Sequence, residues 1–313
     1  MVSIARTEFL NRLRIFNLTL QEQHGVLFDR AIHEVEHNER ARFLRNGLSI
    51  ISFNILEDFI KNRIYEVLTF IANTGIDFNS LPEKFQEAIT ISPLNNIQTL
   101  TRRKKNNNED WKLFIQTETG KITSTANVPF QISLFGFGYD KSNLDTDEVS
   151  KFLNIFQIHE SFTSIGAITN IIGCALFDPK TFFLNAANRR HNAAHNPNAV
   201  SLYGDLENYG IAVKSFALAF DFLIAKAACF IRDQNHQYLN VGRKVQPTDI
   251  AIRFIRKQGG FFKEMSATNS RPILNFNTEM AAVNSLITRA NYQHEMIVVV
   301  DYPNKVHSWY TAL

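Results

Sequence analysis

Two stretches of this chain, residues 47–73 and about 205–231, carry apolar side chains around most of a helical wheel. A helix of that kind is stable only when other elements surround it. In the first, Leu48, Ile51, Phe53, Leu56, Phe59, Ile60, Ile64, Val67 and Ile71 leave little room for a wet face. Two such helices require company, so the chain reads as mainly α, a helical bundle. Residues 6–46 supply a more ordinary partner, with Phe9, Leu10, Leu13, Phe16, Leu18 and Leu20 placed among charges at the spacing of an amphipathic helix. Helical pattern returns over about 146–176 and again over 179–195.

The rest of the chain departs from that pattern in two places. Residues 74–146 are richer in Gly, Pro, Asn and Thr, and read as a mixed loop and β insertion with short strands at Trp111–Gln116 and Val128–Phe135. Residues 236–313 read as a small α/β appendage, with strands at Ile273–Phe276 and Met296–Val300 flanking a helix over about 278–290. The expected organisation is a helical domain over 1–235, interrupted at 74–146, and the appendage after it.

Composition narrows the class further. With 313 residues, 45% apolar content and 27 phenylalanines, the chain can fill a large core and has rings left over for an interface, so an oligomer is expected. The formal net charge is only +3, short of the basic stripe of a DNA-coating protein. The run Arg102, Arg103, Lys104, Lys105 leads straight into Asn106, Asn107, Asn108, Glu109 and Asp110, and reads as a solvated loop. Cys174 and Cys229 sit in apolar surroundings without CxxC spacing. They imply neither a disulfide framework nor a thiolate metal site, and fit a reducing, cytoplasmic setting. Residues 1–20 lack the apolar run of a signal peptide, and no window approaches the about 18 apolar residues of a membrane span, so no membrane association is expected.

The chemistry concentrates in residues 178–197. Asp178 is a good N-cap with Pro179 at the first helical position, and Pro197 closes the helix near His195. On a wheel of about 100° per residue, Phe183, Ala186, Ala187, Ala193 and Ala194 share a face, and Arg190 falls near its middle. An arginine on a packed face needs a partner: a carboxylate, a phosphate or a second subunit. Glu57, a lone acid on an otherwise apolar helix, is the candidate internal partner for Arg190 or Arg189. His195, five residues on, points about 140° away on an ideal helix unless the helix ends there. At a helix C-terminus the dipole favours the imidazolium, which suits proton transfer near neutral pH.

Arg190-His191-Asn192-Ala193-Ala194-His195, between two helical stretches, resembles the RxxxxH motif of HEPN ribonucleases. The fuller string from Arg189 is similar to the branch found in phage-defence and RNA-repair contexts. The resemblance implies an α-helical bundle, placed here in residues 1–73 and 147–235. It implies a homodimer whose two motifs face one groove, and RNA cut without metal or other cofactor by 2′-hydroxyl attack on the adjacent phosphate. Arg190 would hold phosphate and His195 would move protons, with Arg189, His191, Asn192 and Glu57 in supporting places. A toxin or antiviral role, restrained by a regulatory protein or antitoxin, is part of the same expectation. Arg189 also satisfies the looser family spacing of four to six residues. The branch controlled by nucleotidyl transfer has a tyrosine two residues past the motif histidine, where this chain has Pro197.

Two rival readings stand beside this one. His33-Glu34-Val35-Glu36-His37 is a formal HExxH string, in which two imidazoles one helical turn apart bind zinc and Glu34 activates water, with Glu57 as a third ligand. Its surroundings, Asn38, Glu39, Arg40 and Arg42, are those of a solvated helix with pairs such as Glu36 and Arg40. The other is a HEPN-like module that holds RNA or protein and cuts nothing. Gly136-Phe137-Gly138-Tyr139 lacks the rest of a nucleotide loop and reads as a turn, and Asp301 and His307 read as surface residues.

Overall fold

Ser3 opens the first helix by accepting a hydrogen bond from the Arg6 amide, and α1 (Ile4–Glu22) then buries Phe9, Leu13, Phe16 and Leu20 along one face. The computed structural model describes residues 3–137, 144–174, 176–266, 272–301 and 305–313. After the single turn α2 (His24–Leu27), α3 runs without a break from Val35 to Ala72, 38 residues or about 57 Å. The change of character seen near residue 47 is therefore a change of environment within one helix. Its first turns are wet, while from Arg45 onward most positions face protein.

α3 packs on the other all-round apolar helix, α9 (Tyr203–Arg232), in which Ser215 to Ala225 are buried at every position. Ala217, Ala219, Ala225, Ala227 and Ala228 let neighbours come close. Between these two lie α4 (Glu83–Asn106), α5 (Trp111–Thr123), α6 (Thr146–Ile155), α7 (Ser161–Ile172) and α8 (Pro179–His195).

The segment expected to be mixed loop and strand is largely helical. Trp111 begins a helix because Asp110 caps it, accepting from the Leu113 amide, and the local cap outweighs the β preference of the residues after it. No strand forms over 128–135; the chain there is irregular, with Phe130 and Ile132 buried. Arg102 to Lys105 are solvated as expected, but on the last turn of α4, where cations complement the helix dipole.

After α10 (His236–Asn240) come β1 (Ala251–Gln258), β2 (Phe261–Ser266), β3 (Leu274–Phe276), α11 (Glu279–Gln293), β4 (Glu295–Asp301) and β5 (Lys305–Tyr310). The sheet order is β3-β2-β1-β4-β5, parallel only between β1 and β4. Ile255, Ile297 and Val299 face α11, while Phe254, Met296, Val298 and Trp309 join the core of the helices. The α/β unit thus seals one side of the bundle. The seam is polar at one point: Arg63 Nε donates to Asp221 (2.7 Å), Trp309 Nε1 donates to the same carboxylate (2.8 Å), and a second Arg63 nitrogen donates to the Thr311 hydroxyl (3.0 Å).

Candidate active site

α8 carries the motif. Asp178 accepts from the amides of Lys180 (3.0 Å) and Thr181 (3.2 Å), Pro179 takes the first helical position, and the helix stops after His195, where Asn196 turns extended before Pro197. Both ends lie where the punctuation of the sequence puts them. Phe183 anchors the helix, fully buried against Phe53 (ring centroids 5.4 Å apart) and Phe216 (5.5 Å).

The chain after α8 is tied back to α3. Asn46 donates to the Ala199 carbonyl (2.8 Å) and accepts from the Ser201 amide (3.1 Å), and Ser49 donates to the Ser201 hydroxyl (2.8 Å). Buried Arg45 donates to the Ser201 carbonyl (2.7 Å) and to the Leu27 carbonyl (2.6 Å), and pairs with Asp29 (3.0 Å). These three side chains hold the segment that closes the motif helix. Reading α3 only for its apolar residues passes them over, and their signal is polar residues in adjacent turns of a helix otherwise packed all round.

With Phe183 beside Phe53 and Ala199 beside Asn46, α8 and α3 run antiparallel. Arg190, seven residues past Phe183, therefore lies level with Asn46 to Ile50 of α3. Glu57 lies beyond Phe53 in the opposite direction, an axial separation of about 16 Å from Arg190. The expected Glu57–arginine pair does not form. Glu57 is buried, accepting from Lys61 Nζ (3.1 Å) and the Leu144 amide (2.9 Å), and so pins the start of the α6 region to α3.

Arg190 is half-buried. Its Nε is out of solvent and has no hydrogen-bond partner, and among the described residues the guanidinium has no carboxylate partner. Arg189, also half-buried, lines with Asn192, Asn196 and Ser201 a cavity of about 330 Å³ at the end of the helix. His191 and His195 are exposed, one turn apart, with ring centroids 4.8 Å from each other. Since the helix stays regular through His195, the arginine and the histidine leave it in different directions.

The HExxH string is not on one helix. His33 lies in a turn before α3 begins at Val35, and His37 Nε2 is bonded to the Phe28 carbonyl (3.0 Å). The spacing of two histidines one turn apart on a zinc helix is absent there, and Glu57 is engaged elsewhere. Gly138 and Tyr139 lie outside the described residues. His307 pairs with Glu279 (3.2 Å) and lies 3.8 Å from Asp301, and its bond to Glu279 raises its pKa against the opposing effect of burial. Cys174 and Cys229 are buried, and burial raises both thiols, Cys229 to about 11, which makes them poor nucleophiles.

A family-model match over most of the helical part places the chain in the HEPN superfamily. It belongs to the RiboL-PSP-HEPN family, whose model matches residues 8–226, from α1 through most of α9 and including the whole motif. Comparison with curated proteins and with solved structures gave no match. Among the described residues no helix is long and apolar enough to cross a membrane.

Proposed function

We propose that this protein is a metal-independent endoribonuclease that cuts single-stranded or looped RNA. The observation that carries the reading is the Arg190 guanidinium, a cation with its Nε withdrawn from water and without an acceptor among the described residues. A buried donor without an acceptor is unfavourable by about 1–3 kcal/mol, and a phosphate oxygen relieves it. In the proposed step the 2′-oxygen attacks the adjacent phosphorus and gives up its proton, and the bond to the 5′-oxygen breaks as that oxygen gains one. Arg190 stabilises the charge that develops on the phosphate and His195 moves the proton, with His191 and Asn192 lining the groove and Arg189 supporting at its rim. Charge stabilisation and proton transfer are then both supplied by side chains.

The divergence of Arg190 and His195 on one helix is resolved in a two-fold dimer, where the arginine of one copy meets the histidine of the other. Phe43, Leu44 and Ile51 share the solvent face of α3 and are 66%, 47% and 53% exposed. This apolar stripe suits a second copy. Action in the cytoplasm as a toxin or antiviral effector, restrained by a regulatory protein, follows from the family resemblance.

Arg190→Ala and His195→Ala should each lower cleavage of end-labelled single-stranded RNA by about a hundredfold or more, with far-UV dichroism unchanged and EDTA without effect on the parent protein. Full activity in both variants would remove the proposal, and binding of RNA without any cleavage by the parent would make the protein a binding module.

A further inference from the structure

A second site lies away from the motif, where the helices meet the sheet. A cavity of about 530 Å³ opens between α1, α9, β5 and the turn after α7. That is the size of a small-molecule pocket, far larger than a single ion needs. Lys214 of α9 and Lys305 of β5 both line it. Neither ammonium is in an ion pair among the described residues. Burial lowers the pKa of Lys214, and repulsion from Lys305 lowers it further against the weaker pull of Asp301, so the two amines are near enough to feel each other. Two cations on one cavity wall, neither held in an ion pair among the described residues, favour a dianion.

The remainder of the wall suits an organic body attached to that anion. Ile211 is exposed apolar surface, and behind it the buried Tyr203, packed on Phe28 (ring centroids 4.4 Å) and donating its hydroxyl to the Leu20 carbonyl (3.2 Å), makes a firm wall. Asn17 and Gln21 of α1 bring amides that both donate and accept. Glu207 lies two turns before Lys214 on the same face of α9, about 10 Å along the axis, and offers an acceptor at the far end. Glycine at 210 leaves the Asn17 amide its place in the wall: a Cβ there would press on Asn17 Oδ1 and turn that side chain aside.

We propose that this cavity binds a phosphomonoester of nucleotide size, its phosphate between Lys214 and Lys305 and its ring against Ile211. The site is separate from the motif helix and does not depend on the nuclease reading.

Titration calorimetry on the full chain tests it, with inorganic phosphate and the four nucleoside monophosphates as probes. At least one nucleotide should bind, and more tightly than phosphate. Lys214→Ala and Lys305→Ala should each weaken it about tenfold or more, as expected for loss of a charge-assisted contact. Gly210→Ala should weaken binding too, because the added methyl displaces the Asn17 amide while the helix is kept. Arg190→Ala should bind as the parent does. Absence of heat with every probe, an unchanged affinity in Lys214→Ala with far-UV dichroism intact, or loss in Arg190→Ala instead, would overturn the site. Phosphate binding as tightly as any nucleotide would overturn the nucleotide assignment.

Discussion

Asp221 has no exposed surface, and it is held by two donors from distant parts of the chain, Arg63 and Trp309. Burial alone would lower the pKa of Arg63, but the charge of Asp221 and its hydrogen bond raise it instead. Replacing Asp221 by Ala leaves that guanidinium charged and without its main partner in the core. The expected loss is about 3–5 kcal/mol, read as a lower urea midpoint, and a variant within 1 kcal/mol of the parent would show that water compensates. The same logic separates the arginines by purpose. Arg45 and Arg63 have their acceptors built into the chain, whereas Arg190 Nε has none among the described residues. That Arg190 is unusual was legible on the helical wheel, because a cation among Phe183, Ala186 and Ala187 is conspicuous. That Glu57 is not its partner was not legible, since only the antiparallel packing of α8 on α3 sets which residues come level.

At the scale of elements, α3 faces the α9 core, the closing segment of α8 and, through Phe43, Leu44 and Ile51, open solvent. If the exposed stripe seats a second copy, Ile51→Glu should convert the protein to a monomer in sedimentation and depress RNA cleavage, leaving its thermal midpoint nearly unchanged. A fully active monomeric parent would exclude the composite groove. Periodicity was enough to find α1, the buried part of α3, α8 and α9, and the α11 unit near residues 278–290, because each buries a face with its own repeat. It failed at α5, where the β preference of Trp111, Phe114 and Ile115 conceals a helix started by the Asp110 cap. It also missed β1, β2 and β5. β2 has aromatic, basic and acidic residues in succession, and Glu264 within it is buried against Arg253 and Arg289, so burial there does not track apolarity.

At the scale of the whole molecule, the division expected at residue 235 is not a division of the core. Trp309 lies 6.1 Å, ring to ring, from both Phe9 and Phe59, and Thr311 meets Arg63. A fragment of residues 1–235 should therefore be aggregated or lack a near-UV signal. A monodisperse fragment with cooperative unfolding would show that the helices stand alone. The polar seam also orders events in time. A ribosome delivers Arg63 and Asp221 long before Trp309 and Thr311, so the nascent helices hold an ionic centre before the residues that cover it arrive. The interior is finished only when the segment near residue 311 folds back onto the helices, so a late-made strand completes a core begun long before it.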